Sequence, residues 1–289
     1  MNIGGHGYVF ENLCPEIFLE RFPNYRPFVV KESELSPVMQ TVVWEKELPN
    51  DPVDFIYQYE IMDGQYSFYK EASGYRIVIT LKDLPPLQIW GSEDWSVCYT
   101  SATLTHPLIW RMERFLQHLF TFAGTVKNTF IVHASVIKND GKGFLFMGHS
   151  GAGKSTHSRL WLEHISGSFL LNDDNPVLRL ENQKLWVFGS PWSGKTDCYV
   201  NDCAEVFSFF NIVQAPQNKL TLLNGAKAYI TMLYANSFLR WNVNLEQYLY
   251  DFIDQVLQLK PIYELECLPD KSAAVLSASV FKTSTDIAS

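Results

Sequence analysis

Cysteine is scarce and unpatterned in this chain of 289 residues. The five present, Cys14, Cys98, Cys198, Cys203 and Cys267, are odd in number and scattered. No disulfide framework follows from such spacing, and the nearest pair, Cys198 and Cys203, meets no second pair that would complete a zinc site. Reduced thiols in a cytoplasmic protein are the simplest account. No apolar run is long and uncharged enough to span a bilayer, so no membrane partner is expected. The opening residues, MNIGGHGYVFENL, lack the basic and apolar regions of a secretory signal. Positive charge is also short. The 23 lysines and arginines face 31 acids, and a net charge of −8 argues against a general nucleic-acid binder. Internal repeats and low-complexity segments are missing. What is plentiful builds cores: 47% of the chain is hydrophobic and 15% aromatic, enough for one large domain or two ordinary ones.

The stretch with the strongest chemical signal is Gly148-His149-Ser150-Gly151-Ala152-Gly153-Lys154-Ser155, which satisfies the phosphate-loop pattern GxxxxGK[ST]. Gly151 and Gly153 can take backbone conformations closed to residues with side chains, so successive N–H groups can ring a phosphate. Lys154 brings a compact positive charge for β- and γ-phosphates, and Ser155 a hydroxyl for Mg²⁺. Thr156 continues the nucleotide-binding run. The context fits: Gly143 to Met147 is a short apolar run that reads as a buried strand, and Ser155 to His164, free of proline and glycine, reads as a helix. That order sets an anion at the positive end of a helix. A second match to the pattern, Gly189 to Thr196, is a false hit for nucleotide. Pro191 has no N–H to give, and Asp197 to Asp202 is a weak helix start. The segment is still a candidate functional loop.

Twenty residues beyond Lys154, an apolar run ends in Asn172-Asp173-Asp174. A parallel-type strand there would present both carboxylates to the loop. One acid can hold the metal, and the other, pressed against a like charge, can take a proton. His133, alone on an apolar stretch, reads by itself as a core histidine with a satisfied hydrogen bond.

Residues 1–105 read as a β-rich domain, with strands at 40–48, 55–62, 65–70, 75–81 and 95–100 separated by turn residues. Asp63-Gly64 is a hairpin signal. His6, among glycines, is expected in a mobile N-terminus. Residues 106–289 read as the catalytic domain. It opens with a helix from Pro107 to Gly124, whose apolar residues recur at three- and four-residue spacing. A strand over 129–137 and the turn 139–143 then form a hairpin that brings His133 near the phosphate loop. Strands follow at 168–171, 176–180 and 185–188, then helices at 225–236 and 245–259, a strand at 262–267 and a short closing helix.

Val132-His133-Ala134-Ser135, the phosphate loop and Asn172-Asp173-Asp174, in that order, resemble the catalytic core of HPr kinase/phosphorylase and of phosphoenolpyruvate carboxykinase, which shares its fold. The HPr-kinase-like proteins of bacterial peptide-modification clusters are similar in one more respect, a Pro-Trp-Ser-Gly segment, here Pro191 to Gly194. The resemblance covers roughly residues 107–280. It implies an α/β (α+β) fold of the phosphoenolpyruvate carboxykinase/HPr kinase type behind the smaller β-rich domain. It further implies that residues 148–155 bind ATP, that Lys154 neutralises the transferring phosphoryl group, and that Ser155 and Asp173 serve Mg²⁺. Asp174 would take the acceptor's hydroxyl proton, and His133 would lie beside the γ-phosphate or a metal-bound water. Trp192, Ser193, Gly194 and Lys195 would form a substrate loop, with Lys195 facing substrate phosphate.

Two parts of the pattern have no counterpart: the HPr kinase segment that supplies a glutamate to the metal, and the substrate-binding arginines of the carboxykinase. The activity expected is ATP- and Mg²⁺-dependent phosphorylation of a hydroxyl on a protein, peptide or small molecule. A nucleotide-binding regulatory module and a carboxykinase stand as alternatives. The resemblance also implies self-assembly as a homo-oligomer, although no residue specifies an interface.

Overall fold

The computed structural model describes residues 1–51, 53–61, 64–194, 196–236 and 241–285. The chain divides into two units, Met1–Lys127 with Phe238–Gln247, and Asn128–Ser237 with Tyr248–Ser289. It is a mixed α and β chain, with one main sheet in each unit.

The first unit holds β1 (Asn2–Ile3), β2 (His6–Glu11), α1 (Pro15–Arg21), β3 (Val38–Val43), β4 (Asp54–Ile61), β5 (Gly64–Glu71), β6 (Gly74–Leu81), β7 (Leu87–Ser92), β8 (Val97–Thr100) and α2 (Ile109–Thr125). The sheet order is β1-β2-β3-β8-β7-β6-β5-β4. β4 and β5 pair antiparallel down to Ile61↔Gly64, as the hairpin signal requires, while Asp63 itself lies outside the described residues. The expected strand at 40–48 stops at Val43, and Glu45 takes a positive φ of 52°. The one expected at 95–100 starts at Val97, because Trp95 occupies a left-handed turn with φ 60°.

His6 is not in a mobile terminus. It is buried on β2, which pairs with β1 and runs parallel to β3. α2 begins at Ile109 and joins this unit, so the division falls after that helix rather than near residue 105. The reason is its apolar face: Met112, Phe115, Leu116, Leu119 and Phe120 are all buried. Phe115 stacks on Tyr66 at 5.0 Å. The Gln40 amide donates to Leu119 O at 2.9 Å and to Trp95 O at 2.6 Å, tying helix, sheet and turn together. Trp241, from the returning segment, packs 4.9 Å from Phe68.

The second unit holds β9 (Thr129–Ile131), β10 (Ala134–Asn139), β11 (Lys142–Met147), α3 (Lys154–His164), β12 (Phe169–Asp174), β13 (Val177–Glu181), β14 (Lys184–Phe188), β15 (Cys203–Gln214), β16 (Lys219–Leu223), α4 (Gly225–Ala235), most of α5 (Val243–Leu259), β17 (Ile262–Cys267) and α6 (Lys271–Thr285). Its sheet runs β12-β10-β11-β15-β14-β13-β9, and β17 pairs with β15 and β16. β11, β15 and β17 are parallel neighbours. α3 and α6 cover one face, where Trp161, Phe144, Phe146, Phe210, Ile212 and Leu265 share a core with Ala273 and Ala274. Ser277 Oγ gives its single proton to Ala274 O, so it accepts from both Trp161 Nε1 at 2.8 Å and His157 Nε2 at 2.9 Å. Burial lowers the His157 pKa to about 4, which keeps that ring neutral.

Two expectations change here, and the strand order adds a fact the sequence does not state. The single strand over 129–137 is two strands, β9 on β13 and β10 between β11 and β12, with Val132 and His133 as the break. The closing helix is long, reaching Thr285. β12 is not adjacent to β11: β10 lies between them and is antiparallel to both. β11 and β12 therefore point the same way and end at the same edge of the sheet.

Candidate functional site

β11 is buried throughout from Gly143 and delivers the chain at Met147 into the glycine loop. Gly148, Gly151 and Gly153 hold φ values of 140°, 83° and 108°, a region side-chain-bearing residues rarely adopt. Gly153 caps α3, whose first N–H groups find no partner inside the helix. Those groups face a cavity of about 560 Å³ lined by Ser150, Gly151, Gly153, Lys154, Ser155 and Thr156 from the loop and helix. His133, Asp173, Asp174 and Gly194 line it from elsewhere. Gly148, His149, Trp192 and Ser193 are not among its walls, and Ala152 lines a neighbouring cavity. Lys195 lies outside the described residues.

Strand register explains why residues distant in sequence meet. Ala134 pairs with Met147 on one side and Asp174 on the other. One step beyond Ala134 is His133, one step beyond Met147 is Gly148, and the acid pair closes β12 beside them. His133 is held there by its own N–H, which donates to Ala235 O at 2.6 Å.

Lys154 is buried, and its ammonium donates to Gly148 O at 2.9 Å, His149 O at 3.3 Å and His133 Nε2 at 2.9 Å. An ammonium has no acceptor to offer, so Nε2 must be the bare nitrogen and the ring proton sits on Nδ1. From there it points to Asp174 Oδ1, 2.9 Å away. The three side chains form one directed chain, from lysine through histidine to aspartate. Burial lowers the Lys154 pKa, and the charges of Asp174 and Asp173 pull it back up.

The acids are aimed by neighbours. Asn172 Oδ1 accepts from the backbone N–H of Asp174 at 3.1 Å and of Asn175 at 3.0 Å, an Asx-type turn at the strand end. Asn175 Nδ2 donates to Asp174 Oδ2 at 2.7 Å. Asp173 is almost fully buried, and its Oδ2 accepts from the Thr196 hydroxyl at 2.7 Å. The 189–196 loop thus folds against the acid pair. Gly194 N–H donates to Asp173 O at 2.9 Å, Ser193 bridges to Asp174, and Ser190 Oγ donates to Asn175 O at 2.7 Å. Gly194 is tightly enclosed: a Cβ there would sit 3.0 Å from Asp173 O and from Asp174 Cβ, so even a methyl group makes a neighbour shift.

Sequence reasoning singled out His133, Lys154, Ser155, Thr156, Asp173 and Asp174, and the fold brings them to one cavity. It did not find Asn172, Asn175, Ser190 or Thr196 as neighbours of the acids. The Asn-Asp-Asp-Asn-Pro run was the available signal for the first two. Among the described residues, no group of three or more His, Cys, Asp or Glu side chains is arranged to hold a metal. Hard oxygen donors at the cavity include Ser155, exposed on the first turn of α3, and Asp173, beside Asp174, Ser150 and Thr156.

A strand, a glycine loop and a helix facing an acid pair define the class of site. A solved structure of the Hpr(Ser) kinase/phosphatase from Coxiella burnetii is similar to this chain at 14% identity, over 55% of this chain and 99% of that one, with a TM-score of 0.33. No family model and no curated protein matches. A likeness that distant fixes no activity, so the chemistry has to come from the residues themselves.

Proposed function

We propose that this chain is an ATP- and Mg²⁺-dependent kinase that moves a γ-phosphoryl group to a hydroxyl acceptor on a protein, peptide or small molecule. The observation that carries the reading is the Lys154–His133–Asp174 chain, with both contacts at 2.9 Å, opening onto the cavity under the glycine loop. The residues present suit the groups they would hold. Positive-φ glycines and unpartnered helix N–H groups match phosphate oxygens, and Lys154 exchanges a carbonyl for one of them. Mg²⁺ prefers hard oxygen ligands, and Ser155 and Asp173 supply two, leaving phosphate oxygens and water to complete its shell. When bound, the metal neutralises charge on the β- and γ-phosphates.

In the transfer step, Asp174 accepts the proton of the acceptor hydroxyl. The freed oxygen forms its bond to the γ-phosphorus as the bond to the β–γ bridging oxygen breaks, and ADP leaves with that electron pair. Asp174 is the better placed acid for this, because its side chain is 28% exposed while Asp173 is buried. His133 orients Asp174 by donating from Nδ1 and holds Lys154 through Nε2. The test is Asp174→Asn with radiolabelled ATP and a lysate as acceptor source. Nucleotide binding should survive and labelling should fall by orders of magnitude. Full labelling by the variant sinks the base assignment, and no labelling by the parent leaves a nucleotide-binding module without transfer.

A further inference from the structure

A cavity of about 420 Å³ opens in the second unit and shares no residue with the phosphate cavity. That volume falls in the range of about 300–1,000 Å³ that small-molecule sites occupy. Five of its seven lining residues are amides, Asn128, Asn182, Gln183, Gln255 and Gln258, and the other two are leucines, Leu180 and Leu259. Among the described residues, no Asp, Glu, Lys, Arg, His or aromatic side chain lines it. Three elements build the walls. Asn128 precedes β9, the Asn182-Gln183 turn joins β13 to β14, and Gln255, Gln258 and Leu259 recur at three- and four-residue spacing on one face of α5. The Asn128 carbonyl accepts from the Leu180 N–H at 3.0 Å, which ties the first wall to the second.

The turn is built at a cost. Glu181 pairs with Lys184, so two residues close the hairpin, and both hold positive φ, 51° at Asn182 and 59° at Gln183. Such a turn favours glycine at its second position. Asparagine is at ease in the left-handed region, but glutamine is not. A residue kept in a costly conformation while its side chain lines a cavity is a reason to look for a ligand there. Each amide offers two N–H donors and a carbonyl acceptor, and carries no charge. Gln255 spends one donor on Asp251 O at 3.2 Å. Among the described residues, no hydrogen bond occupies the side-chain amides of Asn128, Asn182, Gln183 or Gln258.

These walls define a class of ligand. Nothing in them compensates a charge, so the ligand is neutral. Closely spaced amide donors and acceptors match hydroxyl groups, which both give and accept hydrogen bonds. Leu180 and Leu259 suit the C–H face of a saturated ring, and no aromatic ring is present to stack on a nucleobase. We propose that this cavity binds a neutral sugar of one or two rings through its five amides. The site is separate from the phosphate cavity, and the inference stands whether or not the kinase reading holds.

Calorimetric titration of the full chain with glucose, galactose, mannose, ribose, maltose and sucrose tests this. At least one should bind with a Kd of about 10 mM or tighter. Gln183→Gly gives the turn the residue it favours, so the variant should melt about 2 °C or more above the parent while its sugar affinity falls about 5-fold or more. Gln258→Ala, on an exposed stretch of helix that suits alanine, should melt no lower than the parent and lose affinity by a similar factor. Affinity that falls while stability holds or rises excludes unfolding as the cause. Affinity for inorganic tripolyphosphate, whatever its parental value, should be unchanged in both variants. A parallel fall there would show that these side chains support the sheet and not a ligand. Failure of all six sugars to bind, or undiminished binding by both variants, would overturn the site. Tighter binding of glucose 6-phosphate than of glucose would overturn the neutral class.

Discussion

One methyl group at Gly194 should separate holding a nucleotide from using it. The glycine's φ is not in the left-handed region, so alanine can take up its backbone, and the conflict is purely one of space. A Cβ there would lie 3.0 Å from Asp173 O, 3.0 Å from Asp174 Cβ and 3.1 Å from Asp174 Cγ, whereas ordinary contact starts at 3.4 Å. Backbone on one side resists, so the Asp174 side chain gives way by about 0.4 Å, the difference between those two distances. A displacement of 1 Å at a reacting group costs about 100-fold, so scaling the logarithm to 0.4 Å predicts a loss of about 6-fold or more in turnover. Crowding itself should cost about 1–3 kcal/mol of stability, which the thermal midpoint will show.

The atoms nearest the added group belong to Asp173 and Asp174 rather than to the glycine loop or Lys154, so MgATP affinity should stay within about 2-fold of the parent. With water standing in for the acceptor, release of labelled phosphate from γ-labelled ATP measures the transfer step. Calorimetry measures affinity. A parental rate would refute the claim that this loop sets the position of Asp174. Affinity falling in step with the rate would show that Gly194 supports the whole cavity rather than the acid alone.

Two further outcomes are expected. Thr196→Val removes the hydroxyl that donates to Asp173 Oδ2 at 2.7 Å, and a lost bond to a charged group should raise the Mg²⁺ concentration needed for half-maximal turnover by about 10-fold. An unchanged Mg²⁺ titration would remove Asp173 from the metal's ligands. Lys154 has its pKa lowered from 10.5, chiefly by burial, and anions select the protonated form. Tripolyphosphate affinity should therefore be full at neutral pH and decline as pH rises through a point below 10.5. Lys154→Arg, charged throughout, should lack that decline, and a parental profile flat to 10.5 would contradict the assignment.

The parts of this chain legible from sequence were those whose signal is local. A short apolar run, three glycines and a proline-free stretch suffice for β11, the loop and α3. The period of the apolar residues suffices for α2. What stayed hidden depended on distant partners. β2 and α1 were passed over because His6-Gly7-Tyr8 has no strand-like alternation, and its burial comes from neighbours on both sides. β15 was missed for a related cause. It pairs with β11 on one edge and, in succession, with β14 and β17 on the other; its burial largely alternates, but the buried face includes Ser208 and the half-buried face Phe207 and Val213, so CAEVFSFFNIVQ shows no clean period.

At the site, the residue types were readable, but the order of strands was not. The acid pair is expected on a parallel-type strand facing the loop, with no word on its neighbours, and the intervening β10 is what puts His133 between lysine and acid. The support given by Thr196 was equally out of reach: the segment reads as a candidate substrate loop, and nothing local shows its hydroxyl turned to Asp173.

The hairpin of β10 and β11 has a second end. There Asp140 and Gly141, both with positive φ (47° and 71°), form a two-residue turn at the opposite tip of the ladder from His133 and Gly148. Six paired rungs separate the two tips. A dye or an affinity handle spliced into that turn reports on the strand that carries the chemistry while remaining remote from it. Ligand capture and release then become observable in real time, before any substrate has been identified.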